Sequence, residues 1–92
     1  MFPKNRAPIT AGETLDRTFM QPLEMSCEEL SAKTSLTIRE IKSFISGQTP
    51  CTVEIAILLS DVFGTVPSFW MSVQQNHDMW SAHQAVESIS AN

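Results

Sequence analysis

Apolar residues recur along this chain at helical rather than strand spacing. Leu15, Phe19 and Leu23 lie four residues apart, one stripe of an amphipathic helix that starts near Thr10 and Ala11, ahead of Gly12 and Glu13. Pro22 lacks a backbone donor and its ring meets the preceding turn, so this helix is expected over about 11–21. Leu23 and Met25 would then form a short apolar elbow. Leu30, Leu36, Ile41, Phe44 and Ile45 can meet in one seam between two further short helices, with the small Ser31 and Ala32 allowing close approach where they cross. Val53–Phe63 is almost continuously apolar, and only Glu54, Ser60 and Asp61 are left to face water. That composition predicts a central buried helix. Phe69, Trp70, Met71 and Val73 make the next helix apolar on more than one side. Met79, Trp80, Ala82 and Val86 carry the pattern on over about 78–88. Strand-like alternation is missing throughout, so the fold class is all-α, with five helices, or six if the last stretch stands apart.

The helix boundaries are written in capping residues. Ser26 is followed three places later by Glu29, and Thr37 by Glu40. In such a box the hydroxyl accepts from the third helical N–H while the carboxylate accepts from the cap residue's own N–H. Two starts so close together leave room for one short helix over about 27–34, a turn at Ser35–Leu36, and a second helix over about 38–46. This is the pattern of a helix-turn-helix, whose second helix usually enters a DNA major groove. Gly47 is placed to stop that helix in the left-handed conformation. Thr52 caps the next, Gly64 ends it, and Pro67 opens the last, where its missing donor costs nothing. The expected layout is a flexible arm over 1–9, a helical domain over 10–88 and a polar tail over 89–92.

Composition narrows the function. Ninety-two residues with 42% hydrophobic content suit one domain with a real core. An apolar run long enough to span a membrane is missing, and 1–13 holds no signal-peptide core. Cys27 and Cys51 lack metal-ligand spacing and read as reduced thiols of a cytoplasmic protein. Net charge is −4, unlike a strong nucleic-acid binder, but it is unevenly spread. All six basic residues (Lys4, Arg6, Arg17, Lys33, Arg39, Lys42) precede position 43, balanced there by six acids. Glu54, Asp61, Asp78 and Glu87 follow with no compensating base, so any DNA-facing surface belongs to the first half.

Linked motifs then carry a resemblance. Gly12–Glu13 with Leu15 and Phe19, Pro22–Leu23, Ser26 with Glu29 and Leu30, 41–47, Thr52 with Ala56 and Leu59, and Gly64-Thr65, Pro67, Phe69-Trp70, Gln74 and Asp78 follow one another over about 9–80. Together they resemble the HigA/VapI-type antitoxins of the Xre/Cro-like helix-turn-helix proteins. The resemblance implies a lambda-repressor-like DNA-binding domain, a homodimer, neutralisation of a HigB-type, RelE-like ribosome-dependent mRNA endonuclease, and repression of the shared operon at a palindromic operator. The pattern departs at Ser35, where the family often has glycine and a left-handed residue costs about 1 kcal/mol. It departs also at Cys27, where a phosphate-contacting glutamine is common, and at Val66, which leaves Thr65 as the expected cap before Pro67.

If the helix after Thr37 enters the major groove, Thr37, Ile38, Arg39, Lys42, Ser43 and Ser46 meet the duplex, with Gln48 and Thr49 suited to phosphates. Arg39 is the candidate for a bidentate guanine contact and Ile38 for a thymine methyl. The N–H groups at the start of the preceding helix offer another phosphate site. The plain alternative is that Arg39 and Lys42 only solvate a surface helix. Glu40 is assigned to the cap. Phe69, Trp70, Val73 and Trp80 are divided between core packing and a dimer interface. His77 and His83, six residues apart, form no ligand pair on one helix, and no residue pattern points to an enzyme, a metal or a cofactor. The leading expectation is an operator-binding antitoxin. Its rivals are a toxin-binding module with weak or lost DNA binding and a stand-alone regulator.

Overall fold

A computed structural model describes residues 8–90, with side chains to Glu87. Five helices follow one another: α1 over 11–23, α2 (Cys27–Thr34), α3 (Ile38–Ile45), α4 (Val53–Phe63) and α5 (Pro67–Ser90). No strand occurs among the described residues. The last apolar stretch is not a sixth helix but the continuation of α5, which runs unbroken to Ser90, two residues into the segment read as tail. Of the arm read over 1–9, only Pro8 and Ile9 fall within the described residues, and both precede the first helix.

α1 corrects the expectation of an end at Gln21. It opens with an α-helical turn (Ala11–Thr14), widens into a π-helical section (Leu15–Met20) and closes with Gln21–Leu23. The N–H of Gln21 bonds the Asp16 carbonyl, five residues back. A wider turn relieves the clash that a proline ring makes in an α-helix, so the chain carries Pro22 inside the helix. The same widening changes which residues align. Five-residue spacing puts Leu15 and Met20 together in the core, while Leu23 is rotated out to 60% exposure. Glu24 then ends the helix with a left-handed backbone (φ 52°).

The remaining boundaries follow their caps. Ser26 and Glu29 form a reciprocal box at the start of α2, and Thr37 and Glu40 another at α3. Thr52 accepts from the Ile55 N–H at the start of α4. Ser35 ends α2 with φ 65°, the left-handed residue that glycine usually supplies, and Gly47 and Gly64 adopt φ 84° and 72°.

The core gathers Ala11, Leu15 and Met20 from α1, Leu30 from α2, Ile41 and Phe44 from α3, Cys51, Ala56 and Leu59, and Trp70 from α5. Leu36 and Ile45 pack against it, completing the seam expected between α2 and α3. Trp70 is 0% exposed and stands beside Phe19 and Phe69, ring centroids 5.2 and 5.1 Å away. Its indole N–H donates to the Thr65 hydroxyl at 2.8 Å, and that hydroxyl lies 3.4 Å from Ser60 Oγ. Thr65 therefore anchors the tryptophan, a role its position before Pro67 did not announce. α4 is not buried all round as expected: Glu54 and Asp61 face water as read from sequence, but Ser60 does not. Ser60 is buried under the Thr65 contact, while Val53 and Ile57 stand out at 55% and 46% exposure. A helix apolar all round gives no signal of which side the single layer of neighbours will cover.

Candidate nucleic-acid interface

The surface of α3 is built from its amphipathic register. Ile41 and Phe44 point inward, which turns Ile38, Arg39 and Lys42 out to solvent and leaves Ser43 half-buried. Residues three and four apart on a helix lie side by side, so Arg39, Lys42, Ser43 and Ser46 share one face. With Ile38 and Gln48 they line an open concavity of about 500 Å³. The turn after the helix puts Gln48 there: the N–H groups of Gln48 and Thr49 both bond the Ser43 carbonyl, at 2.9 and 3.2 Å. Six of the eight sequence-selected residues thus converge. The other two do not join them. Thr37 is exposed at the helix start with its hydroxyl accepting from the Glu40 N–H at 3.0 Å, and Thr49 is half-buried and faces a separate cleft.

The electrostatics of this face are simple. Among the described residues the one lysine or arginine paired with an acid is Arg17, with Glu13, so the charges of Arg39 and Lys42 are uncommitted. The acid nearest in sequence, Glu40, is spoken for. Its carboxylate accepts from the Thr37 N–H at 2.9 Å, and that bond, with a further one from the Thr37 hydroxyl, holds its pKa below the usual glutamate range. An ionised Glu40 also sits favourably at the positive end of the helix.

Several residues that place α3 do so through contacts that the sequence reading did not assign to them. The Cβ of any larger residue at 12 would meet the Phe44 carbonyl oxygen at 1.8 Å, so Gly12 brings α1 directly onto the last turn of α3. The Ser31 hydroxyl donates to the Leu36 carbonyl at 2.6 Å, and the buried Thr34 hydroxyl donates to the Leu30 carbonyl and accepts from the Leu36 N–H. These bonds fix the turn between α2 and α3. Ser31 therefore acts as a clamp rather than as a small contact residue, and Ala32 is exposed rather than at the crossing. Beyond α3, the Cys51 N–H bonds Gln74 Oε1 at 2.7 Å, and Gln74 Nε2 bonds Asp78 Oδ1 at 2.9 Å, tying the following loop to α5. Burial pushes the Cys51 thiol pKa up to about 11. Only the spacing of polar residues with hydrogen-bonding side chains carried a trace of these contacts.

Of the residues divided between core and dimer interface, Trp70 belongs to the chain's own core and has no exposed surface. Phe69 is 37% exposed, and Val73 and Trp80 are half-buried. Phe19, half-buried, packs between Phe63, tilted against it, and Phe69, edge-on to it, with centroids 5.0 and 6.2 Å away. The indole N–H of Trp80 is buried with no acceptor among the described residues. Cys27 and Cys51 are free thiols, and no described helix is long and apolar enough to cross a membrane.

No family model matches the chain. An uncharacterised HTH-type transcriptional regulator of Haemophilus influenzae is 29% identical over 75 residues, 82% of this chain and 70% of the relative. The antitoxin HigA-1 of Vibrio cholerae is 28% identical over a stretch with the same shares. Among solved structures, a putative antidote protein of a plasmid maintenance system from Nostoc punctiforme superposes with a TM-score of 0.87 at 28% identity, covering 94% of this chain and 93% of that one. The antitoxin HigA of Pseudomonas aeruginosa, solved with the higBA promoter, superposes with a TM-score of 0.82 at 25% identity, covering 88% of each chain. The resemblance drawn from sequence motifs is borne out: the homologues are helix-turn-helix regulators and HigA antitoxins, and the fold is theirs.

Proposed function

We propose that this chain, homologous to helix-turn-helix regulators and HigA antitoxins, is itself an operator-binding antitoxin: a homodimer that represses its own operon and neutralises a HigB-type mRNA endonuclease. The observation that carries the DNA-binding half is the α3 concavity, where uncommitted Arg39 and Lys42 stand among Ile38, Ser43, Ser46 and Gln48. In this reading α3 enters a major groove, with Arg39 on a guanine edge, Ile38 against a thymine methyl, and Lys42 and Gln48 toward phosphates. Thr37 starts the helix at the groove. The P. aeruginosa HigA structure, in complex with promoter DNA, supports the same use of this fold.

Dimerisation is assigned to the uncharged patch around Phe69. Phe63, Phe69 and Phe19 form one aromatic surface, and Val66 precedes Phe69 by one turn. Val73 and Trp80 extend the interface along α5, and Trp70 is its internal support. A two-fold pairing would set the two α3 helices about 34 Å apart, one turn of B-DNA. Cytoplasmic localisation follows from a DNA target and free thiols.

A gel shift of the full-length chain on DNA upstream of its own gene tests the proposal, with affinity followed as salt is raised. Binding should fall steeply with salt, because each contacted phosphate sheds counterions. No shift at low salt, with or without the toxin, would leave only a toxin-binding module.

A further inference from the structure

The outer side of α4 is an apolar strip bordered by acids. Val53 and Ile57 stand 55% and 46% exposed, four residues apart on one face, and Glu54 and Asp61 are exposed beside them. None of these four residues lines the α3 concavity, and none belongs to the aromatic patch assigned to dimer contact. No lysine or arginine follows Lys42 in the chain, so neither α4 nor α5 supplies a cation to balance Glu54 or Asp61.

We infer that this strip is the toxin-docking surface, and that its partner is a basic protein face carrying a projecting apolar side chain. The inference rests on the antitoxin reading above and adds to it the place of contact. Charge chooses among the possible occupants. A second copy of this chain would bring carboxylates against carboxylates across a two-fold axis, a like-charge juxtaposition that interfaces avoid. A duplex would be repelled by the same groups. A ribonuclease that cleaves mRNA must hold a polyanionic backbone and so presents Lys and Arg. Glu54 and Asp61 are complementary to such a surface, and Val53 with Ile57 supply the dehydrated centre that stable recognition needs. An antitoxin docked this way would cover the cations with which the toxin grips RNA.

The test uses the full-length chain and the product of the toxin-type reading frame adjacent to its gene, rendered catalytically inactive. Calorimetry measures binding for the wild type, for Glu54→Gln/Asp61→Asn, for Ile57→Ser, and for Glu28→Gln/Glu87→Gln, which makes the same change of net charge elsewhere. The α4 pair and Ile57→Ser should each weaken toxin binding about tenfold or more, while the Glu28/Glu87 pair leaves toxin binding unchanged and no α4 variant loses operator binding. Wild-type binding with no loss in either α4 variant, or an equal loss in the Glu28/Glu87 pair, overturns the docking surface but leaves the antitoxin reading standing. Failure of the wild type to bind, or the lack of any such neighbouring frame, removes that reading, and this inference with it.

Discussion

The carbonyl oxygen of Phe44 fills the space where a β-carbon on Gly12 would be, 1.8 Å away. Two backbones thus touch where α1 crosses the end of α3, and α3 is seated on that contact. Gly12→Ala should destabilise the protein by about 1–3 kcal/mol or more, because the obstacle is backbone and has no rotamer to change. The helix propensity of alanine offsets about 1 kcal/mol at most. Denaturant unfolding measures the loss. A variant as stable as the wild type would mean that the two helices are not in contact.

Thr65→Val should cost about 1–3 kcal/mol, since it keeps the shape but strips the acceptor from a buried indole N–H. Thr65→Ser should recover most of that stability. Thermal unfolding followed by tryptophan fluorescence distinguishes them, and equal melting temperatures for the valine and serine variants would show that the hydroxyl contributes nothing.

Glu40 sets an acid limit on the start of α3. Its pKa is lowered in the folded chain by the bonds from Thr37, so its contribution is complete above the unfolded value and is lost as pH falls through the folded one. A carboxyl-detected NMR titration should place its midpoint below the roughly 4.3 of a free glutamate. A midpoint at or above that value would mean the Thr37 N–H is bonded elsewhere.

Arg39→Ala should weaken specific operator binding by about 1–3 kcal/mol and relax base preference at one position. Lys42→Ala should instead reduce affinity for all sequences and lower the salt slope by about one. Competition gel shifts with specific and random DNA read both effects. Equal losses for Arg39→Ala on the two DNAs would put its guanidinium on phosphate.

Much of this architecture is legible in the sequence because it is local. The boxes at Ser26–Glu29 and Thr37–Glu40, the cap at Thr52, and the stops at Gly47 and Gly64 depend on residues within one turn of each other. Five of the six residues lining the α3 concavity are placed for the same reason, since a helix fixes its own faces, and the turn after it brings in Gln48. What escaped is either a change of helical period or a long-range contact. The four-residue stripe through Leu23 assumes a period that the π-helical section of α1 does not keep. In α4 nearly every position is apolar, so burial of Ser60 and exposure of Ile57 are decided by Thr65 and Trp70, outside that helix. Trp70 itself could fill a core or an interface with equal chemistry, and only the packing of Phe19 and Phe69 around it settles the choice.

α3 is held at both extremities before any duplex arrives: Thr37 and Glu40 lock its first turn, and Gly12 and the Gln74-tethered loop brace its last. A helix this short has little intrinsic tendency to form by itself, yet here it is ordered within the free chain. In the operator-binding reading proposed above, association would lose little conformational freedom in α3, and discrimination between bases would be set by side-chain contacts rather than by the cost of building the helix on DNA.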